Sequence, residues 1–295
     1  MTNAVQVGNR WIIGSRPRTL PAAVVPVLVG AACASGLDNT VWWRAALALI
    51  VSLALQVGVN YANDYSDGIR GTDDVRVGPV RLVASGLAPA KAVKQAAFSA
   101  FGVAAVAGLV LAATTSWWLI AVGAAALLAA WFYTGGPKPY GYLGLGELFV
   151  FVFFGLVATV GTTYGVAQQV TALSIVMGCA VGALACALLV INNLRDIPTD
   201  REVGKKTLAV RLGDQRTRVL YVALIGSAFV CALVSAVAWR PLTALAAVAI
   251  ALAVAPVRRV VRGAAGRDLI AVLGETGKLQ LAFGVLSAVG LILSR

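Results

Sequence analysis

Histidine is absent from all 295 residues, and charged residues make up only 12 % of the chain. The first absence excludes imidazole acid–base catalysis, histidine metal ligands and histidine proton relays. The second excludes a soluble globule, in which about 25 % of residues carry charge. With 60 % apolar residues and a mean hydropathy of +0.87, there is too little polar surface to cover a water-soluble fold. The chain reads as dissolved in a bilayer. Its four cysteines, Cys33, Cys179, Cys186 and Cys231, sit inside apolar runs without CxxC spacing, so they predict neither a disulfide framework nor a zinc site. The patch Trp11–Gly14, between Arg10 and Arg16, is too brief for the apolar core of a cleavable signal peptide. A net charge of +12 would suggest nucleic acid for a soluble protein. For a membrane protein the excess instead reports sidedness, and no nucleic-acid partner is expected.

Uncharged stretches long enough for a helix to cross the hydrocarbon core, about 20 residues, predict an all-α protein with nine spans. Thr19–Leu37 and Ala45–Asn63 each hold one. The 43 residues Gln95–Pro137 hold two, turning near Thr114–Trp118, and the 47 residues Leu148–Leu194 hold two, turning at Gln168-Gln169. Val219–Trp239, Pro241–Val257 and Leu269–Leu293 complete the set, the last with a clean run shortened by Glu275 and Lys278. An odd number puts the termini on opposite sides. Counted that way, 21 of the 24 basic residues lie on the side of the N-terminus, leaving Arg44, Arg240 and Arg295 opposite. Positive-inside bias predicts that the N-terminus and the loops after the second, sixth and eighth spans are cytoplasmic, in a multi-pass protein of the cell membrane.

Every acidic residue except Asp38 falls on that same side, which charge bias does not require. The acids form two constellations. Asn60, Asp64 and Asp67 are spaced i, i+4, i+7 and share one face of a helix; Asn192, Asp196 and Asp200 are spaced i, i+4, i+8 and share another, provided the helix continues through Pro198. Acids at one helix end are ordinary interfacial residues. Two copies of Asn-x-x-x-Asp after even-numbered spans on one face point to function. Clustered Asp and Asn oxygens suit Mg²⁺, a hard ion held by a few carboxylates together with substrate phosphates.

A basic segment follows each cluster: Arg70, Arg76 and Arg81 the first, Lys205, Lys206 and Arg211 the second. The motifs at 60–86 and 192–213 thus read as a degenerate repeat within one domain spanning 1–295. Acid-held Mg²⁺ with Lys and Arg around it is a way to hold a diphosphate, and Lys138 in the loop 133–140 is a third candidate contributor. Gly204-Lys-Lys-Thr207 lacks the Walker A spacing and a preceding strand. Gly141, Gly144 and Gly146 open a membrane helix rather than a dinucleotide-binding βαβ unit, and read as packing glycines.

Taken together, the motifs resemble the UbiA superfamily of intramembrane aromatic prenyltransferases over nearly the whole chain. Arg16-Pro-Arg18-Thr-Leu-Pro, Asn-Asp-Tyr-Ser-Asp-Gly-Ile-Arg-Gly-Thr-Asp (63–73), Gly-Pro-Val-Arg-Leu-Val-Ala-Ser-Gly (78–86), Asn-Asn-Leu-Arg-Asp-Ile-Pro-Thr-Asp (192–200) and Gly-Lys-Lys-Thr-Leu-Ala-Val-Arg-Leu-Gly (204–213) are similar to the 1,4-dihydroxy-2-naphthoate polyprenyltransferases of menaquinone synthesis. Gly71 stands where many relatives place the last Asp of a DxxxD motif, leaving Asp67 or Asp73 for that role.

The resemblance implies a central cavity capped by the loops after spans two and six. It also implies transfer of a polyprenyl group from polyprenyl diphosphate to 1,4-dihydroxy-2-naphthoate, with loss of CO₂ and diphosphate, to give demethylmenaquinone. Mg²⁺ would lie on Asn60, Asp64, Asp67, Asn192, Asp196 and Asp200. Arg70, Arg76, Arg81, Lys138, Lys205, Lys206 and Arg211 would face the diphosphate. Tyr65, Tyr133, Tyr140 and Phe149 could supply π-faces to an allylic cation, and Arg16, Arg18 and Tyr140 are candidates to receive the acceptor. Alternatives are a related enzyme acting on 4-hydroxybenzoate, homogentisate or a chlorin, and an ion-coupled transporter with repeat symmetry. The transporter fits less well, because neither acid cluster lies at the bilayer midplane.

Overall fold

The computed structural model describes residues 10–72 and 80–295, and within them the chain is all helical. A short helix α1 (Arg10–Ser15) and one tight turn (Pro17–Thr19) precede α2 (Pro21–Ala34). Then come α3 (Trp43–Arg70), α4 (Ala90–Thr114), α5 (Leu119–Phe132) and α6 (Gly146–Ala167). The chain ends with α7 (Ala172–Glu202), α8 (Leu208–Ala238), α9 (Pro241–Val261) and α10 (Asp268–Leu293). Among the described residues seven helices are long and apolar enough to cross a membrane, or eight if the bent pair Arg10–Thr19 and Pro21–Ala34 is one span. The predicted fourth span is the short one. At 14 residues α5 rises about 21 Å, less than a hydrocarbon core of about 30 Å.

Other boundaries follow the residue chemistry. The turns fall at Thr115–Trp118 and Gln168–Thr171, where Gln168 takes a left-handed φ of 55° and Thr171 and Ser174 cap α7 reciprocally. The first predicted run, from Thr19, is one helix from Pro21 to Ala34, and a bend of 51° at Leu20 sets it off from the segment Arg10–Thr19, where Pro17 opens a tight turn and Arg16 adopts a φ of 52°. Pro241–Ala249 winds as a tight 3₁₀ segment before α9 relaxes into an α-helix that runs to Val261, past the predicted Val257. In α10, Glu275 pairs with Arg259 at 3.0 Å and Lys278 is exposed, so both charges are accommodated without ending the helix.

The core is built around α7. It is the most enclosed candidate span, with 78 % of its most apolar window buried, against about a third for α3, α4, α6 and α8. Its small side chains let neighbours approach closely. A Cβ placed on Gly155 would lie 2.5 Å from the Cα of Gly182, so α6 and α7 meet backbone to backbone. There the middle of α6, Phe151–Val157, loosens into a π-helix. α3 and α7, with 28 and 31 residues, rise about 42 and 46 Å and outrun the hydrocarbon core. Their last turns carry the two acidic motifs.

Candidate active site

Both predicted helical faces exist. α3 continues through Asn60, Asp64 and Asp67 to Arg70, where Gly71, at a φ of 69°, closes the helix. α7 passes through Pro198 and carries Asn192, Asp196 and Asp200 on one side before ending at Glu202. Between these helices and α2, α4, α5 and α6 lies a cavity of about 880 Å³. Its wall is apolar along most of its length. Arg16, Arg18, Gln56, Asn60, Asn63, Arg81 and Asn192 concentrate at the end nearest the motifs. The asparagine of each Asn-x-x-x-Asp thus faces the cavity, and its aspartate stands one turn further along, just past the cavity wall.

Lys205 brings the two motifs together. Its Nζ lies 3.9 Å from Asp67 Oδ2 and 3.9 Å from Asp200 Oδ1, and its backbone N–H donates to the Asp200 carbonyl at 2.8 Å. All three side chains are mostly buried, so this contact is less screened by water than a surface ion pair. The other oxygen of Asp67, Oδ1, accepts a 2.7 Å hydrogen bond from the phenol of Tyr142. Burial, then the Asp67 carboxylate, push that phenol above its ordinary pKa, so it remains a donor. Asp196 is gripped by its neighbour: Arg195 Nε and Nη2 donate to its two oxygens at 2.7 and 2.9 Å, and Nη2 also donates to Asn192 Oδ1 at 2.7 Å.

The remaining predicted residues divide by what they touch. Asp64 is turned toward the chain itself, its oxygens accepting the backbone N–H groups of Leu82 and Val83 at 2.8 and 3.0 Å. Asn60 likewise donates to the Ser15 carbonyl at 2.8 Å and to Thr19 Oγ1 at 3.1 Å, bracing the bend below α2. Arg70 donates to the carbonyls of Thr134 and Gly136 and fixes the loop 133–140. Arg81 is buried and lines the cavity, whereas Lys138, Lys206 and Arg211 are exposed around it. Arg76 and Asp73 lie outside the described residues.

Tyr133, Tyr140 and Phe149 form a ring cluster on the cavity wall, Tyr140 stacking on Phe149 at 4.0 Å and lying 5.5 Å from Tyr133. Tyr65 does not join them: it stacks on Trp131 under Lys94, on the α4 side of α3. Two residues carry weight that spacing alone did not assign. Arg195 reads as another positive-inside charge, and Tyr142 as one aromatic in a glycine-rich turn. Only the fold shows their partners.

Among the described residues no three of His, Cys, Asp or Glu converge closely enough to cage a metal ion. The donor set is nevertheless all oxygen, and two carboxylates from different helices already close on one cation, the Lys205 ammonium. That fits Mg²⁺, which binds through one or two carboxylates and completes its shell with water and substrate phosphate.

Comparison with known proteins gives the family and the fold. The UbiA prenyltransferase family matches residues 23–287. A Mycobacterium tuberculosis protein named 1,4-dihydroxy-2-naphthoate octaprenyltransferase is 54 % identical over 278 residues, covering 94 % of each chain. Among solved structures, a UbiA homologue from Aeropyrum pernix superposes with a TM-score of 0.70 at 16 % identity, covering 92 % of this chain and 97 % of that one. A UbiA homologue from Archaeoglobus fulgidus, solved with GPP and Mg²⁺, superposes with a TM-score of 0.64 at 15 % identity, covering 96 % and 99 %.

Proposed function

Because the chain belongs to the UbiA prenyltransferase family, we propose that it transfers a polyprenyl group from polyprenyl diphosphate to 1,4-dihydroxy-2-naphthoate, releasing diphosphate and CO₂ and forming demethylmenaquinone in its reduced, quinol form. The observation that carries this is the meeting of Asp67 and Asp200 across Lys205 at the polar end of a long apolar cavity. Such a site suits an amphiphile with a diphosphate head and a hydrocarbon tail. The close relative's name supports the acceptor. Purified protein offered the naphthoate, 4-hydroxybenzoate and homogentisate with one donor should prenylate the naphthoate; a preference for either other acceptor would overturn the assignment.

Asp67, Asp196 and Asp200 are the carboxylates that would hold Mg²⁺, with Asn192 at the cavity wall. When bound, Mg²⁺ supplies charge neutralisation to the departing diphosphate. Asp64 and Asn60 keep the segment after Val80 and the break before α2 in register. Lys205, Arg81, Lys138, Lys206 and Arg211 surround the head and favour the build-up of charge on its oxygens. Tyr133, Tyr140 and Phe149 give the allylic cation a dry aromatic wall. Attack by the ring carbon bearing the carboxylate forms the C–C bond, and loss of CO₂ returns the bonding electrons to the ring. No base is required at that carbon, consistent with a chain lacking histidine.

Arg16 and Arg18 line the cavity, and in this reading they would pair the acceptor carboxylate before it enters an apolar space. In the same assay Arg16→Ala or Arg18→Ala should raise KM for the naphthoate and leave KM for the donor unchanged; equal changes in both would return these residues to a topological role. The basic asymmetry supports a cytoplasmic site, and thiol labelling of Val203→Cys, an exposed position beside the second motif, tests that orientation.

The tail is accommodated at the far end of the cavity. Gly108, Gly123 and Gly161 come from three helices, line the cavity, and lie within about 9 Å of those helices' far ends at 1.5 Å per residue. A Cβ at Gly123 or Gly161 would meet nothing within 4 Å. Gly161→Phe should therefore lower kcat/KM for a long polyprenyl donor by about tenfold or more, the scale on which apolar pockets discriminate, while geranyl diphosphate is used as before. Equal loss for both donors would contradict this path.

A further inference from the structure

Resting on the prenyl-diphosphate assignment above, we propose that Tyr142 is the positioning residue that sets the diphosphate-head pocket, holding groups from both acidic motifs in one arrangement. Its phenol donates to Asp67 Oδ1 at 2.7 Å. Its ring carries the Lys205 ammonium 4.7 Å from the centroid and the Arg70 guanidinium 5.4 Å from it. Its backbone carbonyl accepts the N–H of Lys206 at 3.1 Å. One residue therefore touches the acid and the cation that end α3 and, through its ring and its backbone, the two lysines that follow α7.

The chemistry of each contact assigns the role. A carboxylate with one oxygen held by a neutral donor is fixed in orientation, and Asp67 thereby presents Oδ2 toward Lys205 and Asp200. Lys205 balances the two carboxylates without a close salt bridge, at 3.9 Å to each. The aromatic face keeps the ammonium in place without a competing anion. When the head arrives with its metal ion, Lys205 exchanges carboxylate for phosphate and needs no new location, because the ring still supports it. Tyr142 touches neither reacting atom nor acceptor, so its effect should appear in head-group binding and not in acceptor recognition.

Two substitutions separate the hydroxyl from the ring. Tyr142→Phe removes the hydrogen bond to Asp67 and keeps the π-face; Tyr142→Leu removes both. Calorimetric titration of the detergent-solubilised protein with inorganic pyrophosphate and Mg²⁺ reads the pocket without turnover. Tyr142→Phe should raise the Mg²⁺ concentration needed for half-saturation about tenfold, the scale of one hydrogen bond to a charged group. Tyr142→Leu should weaken pyrophosphate binding further, and KM for the naphthoate should stay at the wild-type value in both. Wild-type pyrophosphate affinity in both variants, with unchanged thermal melting, would overturn the positioning role. Absence of pyrophosphate binding by the wild-type protein would instead overturn the prenyl-diphosphate assignment.

Discussion

Alanine at Asp67 or at Asp200 is expected to lower turnover at least about 10²-fold, the scale of one lost electrostatic contribution to the transition state. The two residues lie near the ends of different helices and both face Lys205. Each substitution therefore leaves a lysine facing one carboxylate and opens the junction over the cavity. Because they act on one leaving group, the double variant should be little worse than either single variant. Removing divalent cations with EDTA should abolish activity to a similar degree, with recovery on adding Mg²⁺. Product formation measured across these conditions decides the matter. Near-wild-type rates in both single variants, or activity that persists in EDTA, would contradict the metal assignment.

Arg195→Ala is expected to be the most destabilising substitution near the site. Arg195 and Asp196 are both buried, and the guanidinium grips the carboxylate through two hydrogen bonds while holding Asn192 through a third. Removing one partner of a buried pair costs about 3–5 kcal/mol, and here the buried carboxylate would lose a two-point guanidinium contact. Arg195→Lys should recover little, because an ammonium lacks the planar fork. The double variant Arg195→Ala/Asp196→Ala should melt above Arg195→Ala alone, although it stays inactive. Thermal unfolding in detergent reads all three. An Arg195→Ala variant with the wild-type melting temperature would show that the pair is not holding the end of α7.

How far the sequence carries this account depends on the range of the interaction concerned. Features set by local periodicity were readable. The shared faces of Asn60, Asp64 and Asp67, and of Asn192, Asp196 and Asp200, follow from helical spacing, and the breaks near Thr114 and Gln168 follow from polar residues between apolar runs. Features set by tertiary partners were not. Asp64 lies on the predicted face, yet its oxygens are taken by backbone N–H groups 18 and 19 residues away. Tyr142 acquires its role from Asp67, 75 residues distant. Tyr65 shares the α3 motif but turns toward Trp131, a choice made by packing against α4 and α5. The π-helical stretch Phe151–Val157 likewise reflects the close approach of α6 to α7 at Gly155 and Gly182, which no single-helix pattern encodes.

The most direct measurement follows the carboxyl carbon of the acceptor. Purified protein is supplied with polyprenyl diphosphate, Mg²⁺ and 1,4-dihydroxy-2-naphthoate labelled in its carboxylate, and both the lipid product and the released gas are collected. The account predicts one labelled CO₂ for each prenyl group transferred, with an unlabelled prenylated product. A prenylated product that retains the label, or no transfer to the naphthoate at all, would contradict it.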